Sequence, residues 1–316
     1  MMTTAVAPKA TARPASVRRR TPWEWANIQM KWLFALPAAI FVLAMLVVPM
    51  AYTVYLSFTD AHGAINRPKA WAGLDNYAAV LADTDRFWPA VGRTLWFSAG
   101  TVIIELVLGM AIALLLRKPF RGQSVVRSLI LLPLVATPVA VSMAWLLIFE
   151  PTVGIVNYVL RTLGLPTQGW FTDPAQSLNT FIFVDVWQWT PIMVLILLAG
   201  MMVLPDEPYE AAAVDGASAW QRFRFLTIPL LGPSIMTAVI LRAIDAIKAF
   251  DMMYAIKNTG GGSQHEVETL NIYGYGLNLE YQDYGMGSAL LVIFFVMILF
   301  VVYLMVKGQQ RWGAMQ

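Results

Sequence analysis

Two groups of side chains in a very apolar chain have types and spacing that could do chemistry. Arg242, Asp245, Lys248 and Asp251 follow one another at three-residue intervals. Residues three apart touch on one helix face, so these four can form an alternating, self-neutralising ladder. The second group is Asp185, Trp187, Gln188 and Trp189, a carboxylate and an amide beside two indoles. Glu105 is a lone acid inside another apolar run. Such groups can hold or relay a polar solute through charge and hydrogen bonds. None forms a nucleophile–base pair, so covalent catalysis has no candidate residues.

Other chemistries are excluded by what the sequence lacks. There is no cysteine, which removes disulfides, thiolate metal sites and cysteine nucleophiles. The two histidines, His62 and His265, stand apart in polar stretches, and no HExxH occurs. No catalytic residue and no metal site is therefore assigned. The absence of GxxxxGK[ST] means the chain carries no P-loop for ATP. Net charge is only +3, and the basic excess is local, which argues against a nucleic-acid partner.

The elements that hold these residues are membrane helices. Hydrophobic residues make up 58% of the 316 and charged residues 13%. A soluble domain carries about 25% charged residues, so this is the composition of a polytopic membrane protein. About 20 apolar residues cross a bilayer as helix. Stretches of that kind lie at about 33–56, 94–116, 128–149, 178–204, 230–254 and 284–306. The fold class is thus all-α, with six transmembrane helices in a transmembrane domain over 31–316. Residues 1–30 read as a cytoplasmic tail. Its Trp23 and Trp25, with Trp32 just beyond, suit the headgroup region. The first span is too long for a cleaved signal peptide and reads as a retained anchor. Pro133 and Pro138 predict a kink in the third span. Ile155, Val156, Val159, Leu160 and Leu163 predict a short amphipathic helix on the membrane surface. Fourteen of the 22 Lys and Arg residues fall in the tail with the adjoining Lys31, 117–127, 205–228 and the C-terminal end. The positive-inside rule then places both termini in the cytoplasm.

Between the fourth and fifth spans lies a polar island, 204–229, reading LPDEPYEAAAVDGASAWQRFRFLTIP. It predicts two short helices around a bend. Pro208 suits a first helical turn, and the acids near it suit the positive end of the helix dipole. Ala211, Ala212 and Ala213 give a smooth face. Gly216 permits the bend. Ser218 and Gln221 form a capping box for the second helix. The island reads as a cytoplasmic docking element.

Its spacing carries a resemblance. Glu210-Ala211-Ala212, three residues, Gly216, nine residues, then Leu226-Thr227-Ile228-Pro229 resembles the EAA loop of ABC importer permeases. Leu226 and Ile228 exchange the usual isoleucine and leucine. Phe250-Asp251 with Tyr254, Gly260-Gly261-Gly262, Thr269-Leu270 and Tyr273 are similar to the carbohydrate-uptake branch, the maltose, polyol and trehalose type. Gly262 stands where that branch often has proline.

The resemblance implies the type I importer fold. The 205–229 loop would be the coupling helix, with Tyr209, Glu210, Ala211, Ala212, Asp215, Gly216 and Ala217 meeting an ATPase subunit. It implies four further partners: a second permease forming a heterodimer, an ATPase dimer that holds ATP and Mg²⁺, and an extracytoplasmic binding protein. The location would be a bacterial inner membrane, with lipid around the spans. Function would be import of a sugar or polyol by alternating access. Sugars need hydrogen-bond partners in place of water and aromatic faces for their C–H surfaces. Asp185, Trp187, Gln188, Trp189, Asp245, Lys248 and Asp251 are the candidates to line such a path. The same residues could form ion networks or pack between helices, and both readings stand at this point. An ion-coupled transporter or channel working alone is the alternative class.

Overall fold

The computed structural model describes residues 22–64 and 69–313; for 22–29, 31–33 and 311–313 it gives the backbone course only. Residues 1–21 of the expected tail and the side chains of Trp23, Trp25 and Trp32 lie outside that description. The chain divides into two units, 1–52 and 53–316. The first holds most of helix α1 (Pro22–Ser57), whose stretch Phe34–Ser57 is long and apolar enough to cross a membrane. Phe34, Ile40, Phe41, Leu46 and Val48 along it are exposed.

The second unit is also helical, and among the described residues its β-structure is limited to isolated bridges. Helix α2 (Asp75–Ala82) precedes the long α3 (Phe87–Arg117). Next come α4 (Gln123–Val135), α5 (Pro138–Ile148) and the short α6 (Ile155–Thr162). The long α7 (Pro174–Met202) leads to α8 (Glu207–Val214) and α9 (Ala219–Arg222). A π-helical turn, Phe223–Thr227, joins α9 to α10 (Ile228–Leu230). Then follow α11 (Gly232–Ile247), α12 (Asp251–Lys257), α13 (Leu270–Tyr275) and α14 (Tyr284–Gly313).

Helices α3 and α7 form the central pair and pack along much of their length. Small residues let them approach, as is usual where lipid supplies no hydrophobic drive. A Cβ on Gly100 would lie 3.1 Å from Ile182, and one on Gly109 would lie 2.7 Å from the Met193 Cβ. Helix α11 lies against both α3 and α7, and α14 against α11. Phe97, Phe181, Met193, Leu197, Leu231 and Leu290 are among the most deeply buried side chains.

Two of the six apolar stretches are not single helices. Helices α4 and α5 meet at 99°, much sharper than a proline kink in a continuous span. Pro138 disfavours helical geometry in the residue before it, so Thr137 is extended, and Ala136 ahead of it is extended too. The fifth stretch bends by 65° between Ala219–Leu230 and Gly232–Lys257. It unwinds again at Lys248–Phe250, before α12. Four helices are by themselves long and apolar enough to cross, and each bent pair adds one candidate, giving up to six among the described residues. In α6, Ile155, Tyr158, Val159 and the following Leu163 are exposed, giving an apolar outer face. Asn157 is buried beneath them, bonded to Pro151 and Gln168 carbonyls and to the Trp170 indole.

The close approach at Gly109 is testable. Gly109→Leu should destabilise the protein by about 1–3 kcal/mol through overpacking, seen as a lower midpoint of thermal unfolding in detergent. Gly308→Leu is the control, because nothing lies within 4 Å of the added carbon.

Candidate functional site

Arg242 of α11 points between α3 and α7 and meets two carboxylates. Its Nη2 donates to Glu105 Oε1 at 3.0 Å, and its Nε stands 2.8 Å from Oε2 of the same residue. Nη2 also donates to Asp185 Oδ2. All three side chains are buried: Glu105 is 0% exposed, Arg242 4% and Asp185 5%. A planar guanidinium suits this task because its donors reach two acids at once. Its carbon lies 5.4 Å from the Trp189 ring centre, a cation–π contact on one face. The set fastens three helices at one point, and we term it the charge lock.

The lock changes the ladder expected from spacing. Arg242 turns inward, and what remains of the ladder is Asp245 and Lys248, 3.6 Å apart and 61% and 51% exposed in their side chains. Asp251 is exposed at the start of α12. The other candidates separate similarly. Asp185 is engaged by Arg242, and Trp189 is half-buried beneath the guanidinium. Gln188 is buried and donates to the Ala136 carbonyl at 3.0 Å, satisfying backbone freed at the α4–α5 break. In this conformation Asp185 and Gln188 are therefore not free to meet a solute. Trp187 is exposed and packs edge-on against Trp145.

Trp187 also lines a groove of about 850 Å³ between α3, α4 and α7. Ile103, Leu108, Leu129 and Ile182 dominate its walls. This groove does not suit a hydroxyl-rich solute, whose buried hydroxyls would lack partners.

The expected coupling element is built locally. Glu207 and Glu210 occupy the first turn of α8 with Pro208. The helix ends in a Schellman motif: Ala217 N–H donates to Ala212 O at 2.9 Å and Gly216 N–H to Ala213 O at 3.2 Å. Gly216 has φ of +77°, the left-handed geometry this cap requires. Ser218 and Gln221 close both halves of the capping box. Glu210, Ala211, Asp215 and Gly216 are exposed, while Ala212 and Ala217 are half-buried. Val214, Trp220 and Phe225 add exposed apolar surface. Tyr209 faces inward instead. Its hydroxyl donates to Thr227 Oγ1 at 3.1 Å, and the Arg117 guanidinium covers its ring at 4.8 Å. One side chain thus ties α8 to the end of α3 and to the π turn.

A second ionic cluster surrounds Glu268, which is fully buried. Arg86 Nη2 donates to it at 2.5 Å, and Arg93 Nε donates to its backbone carbonyl at 2.9 Å. Burial opposes the charge on Arg86, but Glu268 outweighs it and raises the pKa above the ordinary arginine value. Tyr273 donates to Asp83 Oδ2 at 2.6 Å. Burial and this bond push the tyrosine hydroxyl well above its usual pKa. Burial also works against the Asp83 carboxylate, yet the bonds from Tyr273 and the Arg86 and Asp85 N–H groups hold it below the usual range. This cluster pins the 258–269 loop to the start of α3.

Residues 105–312 match the model of the binding-protein-dependent transport system inner membrane component family. The chain belongs to that family. The permease is 34% identical over 291 residues to the trehalose/maltose transport system permease protein MalF of Thermococcus litoralis, covering 91% of this chain and 97% of that one. It is 32% identical over 292 residues to the trehalose transport system permease protein SugA of Mycobacterium tuberculosis H37Rv, covering 92% of each. The crystal structure of a bacterial ABC transporter involved in import of the acidic polysaccharide alginate superposes with a TM-score of 0.77 at 23% identity. The match covers 91% of this chain and 98% of that one. The architecture is that of an ABC importer permease.

Sequence reasoning missed the partners in the lock, the Glu268 cluster and the inward turn of Tyr209. The acids and arginines were visible; their pairing across 137 and 57 residues of sequence was not. The lock gives a direct test. Arg242→Met strands two buried carboxylates and should cost about 3–5 kcal/mol of stability, measured as thermal unfolding in detergent. Adding Glu105→Met and Asp185→Leu removes the stranded charge and should recover most of the loss.

Proposed function

We propose that this permease is one membrane subunit of an ATP-driven importer for a sugar or polyol. An extracytoplasmic binding protein delivers the solute. A second permease completes the path, and a pair of ATPase subunits holds ATP and Mg²⁺. Both termini and the 205–229 loop face the cytoplasm. The observation that carries this reading is the coupling element, an exposed acidic helix with a rigidly capped bend, in a chain of the binding-protein-dependent family. The names of the trehalose and maltose permeases support the substrate class.

In this mechanism the ATPase pair grips α8 through Glu210, Ala211, Ala212, Asp215, Gly216 and Ala217. Nucleotide-driven closure moves α8. Tyr209 passes the motion to Arg117 at the end of α3 and to Thr227 below α11. The bend at Leu231 lets α10 and α11 change angle without breaking the lock. Solute crosses along the face of α11 that carries Asp245 and Lys248, with Asp251 beyond. An ion-coupled transporter working alone would have no use for the coupling element.

Co-purification and uptake test this reading. The native permease should bring down an ATPase with a P-loop, and uptake should stop when ATP hydrolysis is blocked. Glu210→Arg, or Gly216→Leu at its positive φ, should leave the permease inserted in the membrane. Each should lower ATP-dependent uptake at least about tenfold, the equivalent of about 1.4 kcal/mol of lost coupling. Tyr209→Leu should preserve ATPase binding yet lower uptake, because it cuts the link behind the docking face. Normal assembly and transport in all three variants would overturn the reading.

A further inference from the structure

Beyond the lock, the exposed side of α11 continues into a group of aromatic rings. The backbone unwinds at Lys248–Phe250, and α12 restarts at Asp251. Phe250 and Tyr254 are four residues apart and stack, with centroids 4.9 Å apart and planes at 16°. Tyr275 of α13 joins them, 4.8 Å from Tyr254 and 5.0 Å from Phe250. Asn271, one turn before Tyr275, donates to the Lys248 carbonyl at 2.8 Å. That bond holds α13 against the end of α11. All three rings are half-buried, with Met252 and Met253 buried beside them on α12.

The environment of this cluster follows from its neighbours. Asp245, Lys248 and Asp251 are all exposed. A charge near the centre of a helix costs about 2.5–3.5 kcal/mol against lipid. Exposed ionisable residues on a span therefore turn to water or to protein. The rings share that side through Lys248, Asn271 and Phe250. Aromatic faces beside carboxylate acceptors, an ammonium and an amide suit a ligand with apolar C–H faces and hydroxyl edges. Two carboxylates against one lysine leave a net negative charge, which disfavours an anionic sugar.

We infer that Phe250, Tyr254 and Tyr275, with Asp251, Lys248 and Asn271, form a subsite for the ring of an uncharged sugar at the end of the path beyond the lock. The inference rests on the sugar-import reading and adds a place and a charge preference to it. The rings take the C–H face. Asp251 accepts from hydroxyls, and Lys248 and Asn271 donate to them. The subsite lies apart from Asp185, whose carboxylate Arg242 holds, and from Gln188, which is buried with its amide N–H on the Ala136 carbonyl.

The test uses the complete importer in proteoliposomes with ATP, its own binding protein, and radiolabelled trehalose and maltose as probes. The readout is sugar moved per ATP hydrolysed. Tyr254→Leu with Tyr275→Leu should lower this ratio at least about fivefold, because the aromatic faces are lost. Tyr254→Phe with Tyr275→Phe keeps the faces and should stay within about twofold of native. An unchanged ratio in the leucine pair overturns the subsite, as does an equal fall in the phenylalanine pair. If the leucine pair does not assemble, Phe250→Leu alone is judged by the same criterion. A native importer that moves neither sugar, and whose binding protein binds no other labelled sugar or polyol, overturns the sugar-import reading itself, which separates the two failures.

Discussion

The structure turns on one arginine held between two acids inside three apolar helices. Taking an ion out of water costs several kcal/mol even after relaxation, and lipid offers nothing in return. Arg242, Glu105 and Asp185 offset that cost only by meeting one another. Their meeting fixes α3, α7 and α11 at a common depth. It also sorts the charges of α11. Once Arg242 is committed inward, Asp245 and Lys248 fall on a different face, where they pair and remain exposed. The lock thereby divides one helix into a side packed within the protein and a side whose charges stay exposed.

The same economy of polar groups governs the breaks. Pro138 ends a hydrogen-bonded run inside an apolar stretch, and Gln188 from α7 satisfies the Ala136 carbonyl left behind. At the other end of the fifth stretch, the π turn at Phe223–Thr227 precedes the 65° bend. Tyr209 reaches that turn through Thr227. The bent region and α8 are therefore joined, while the lock sits further along α11. In the proposed mechanism this arrangement lets force enter at α8 and redirect α11 about a fixed point.

Much of this was legible in the sequence because it is local. Composition and apolar run length gave the membrane helices. Pro208, Gly216 and the Ser218–Gln221 box specified α8, its bend and α9, since caps and turns depend on residues a few positions apart. What stayed hidden depends on distant contacts. The three-residue spacing of Arg242 and Asp245 suggested a ladder, but Arg242 pairs with acids on two other helices. Gln188 read as a path residue because nothing local shows that a broken helix needs its amide. Trp187 and Trp189 are separated by one residue, yet one lines an apolar groove and the other lies under a guanidinium. The Phe250, Tyr254 and Tyr275 rings meet only because α13 folds back on α12.

The central claim is that the lock turns Arg242 toward protein and leaves the charged face of α11 open to water. The chain has no cysteine, so single cysteines can report on it without background from the permease itself. Asp245→Cys and Lys248→Cys would be introduced one at a time into the assembled transporter. Ala243→Cys, at a position 5% exposed, serves as the reference. The measurement is the rate of labelling by a small, charged, membrane-impermeant thiol reagent. The expected result is fast labelling at 245 and 248, changing with nucleotide, and slow labelling at 243. Equal protection of all three positions in every nucleotide state would contradict the account.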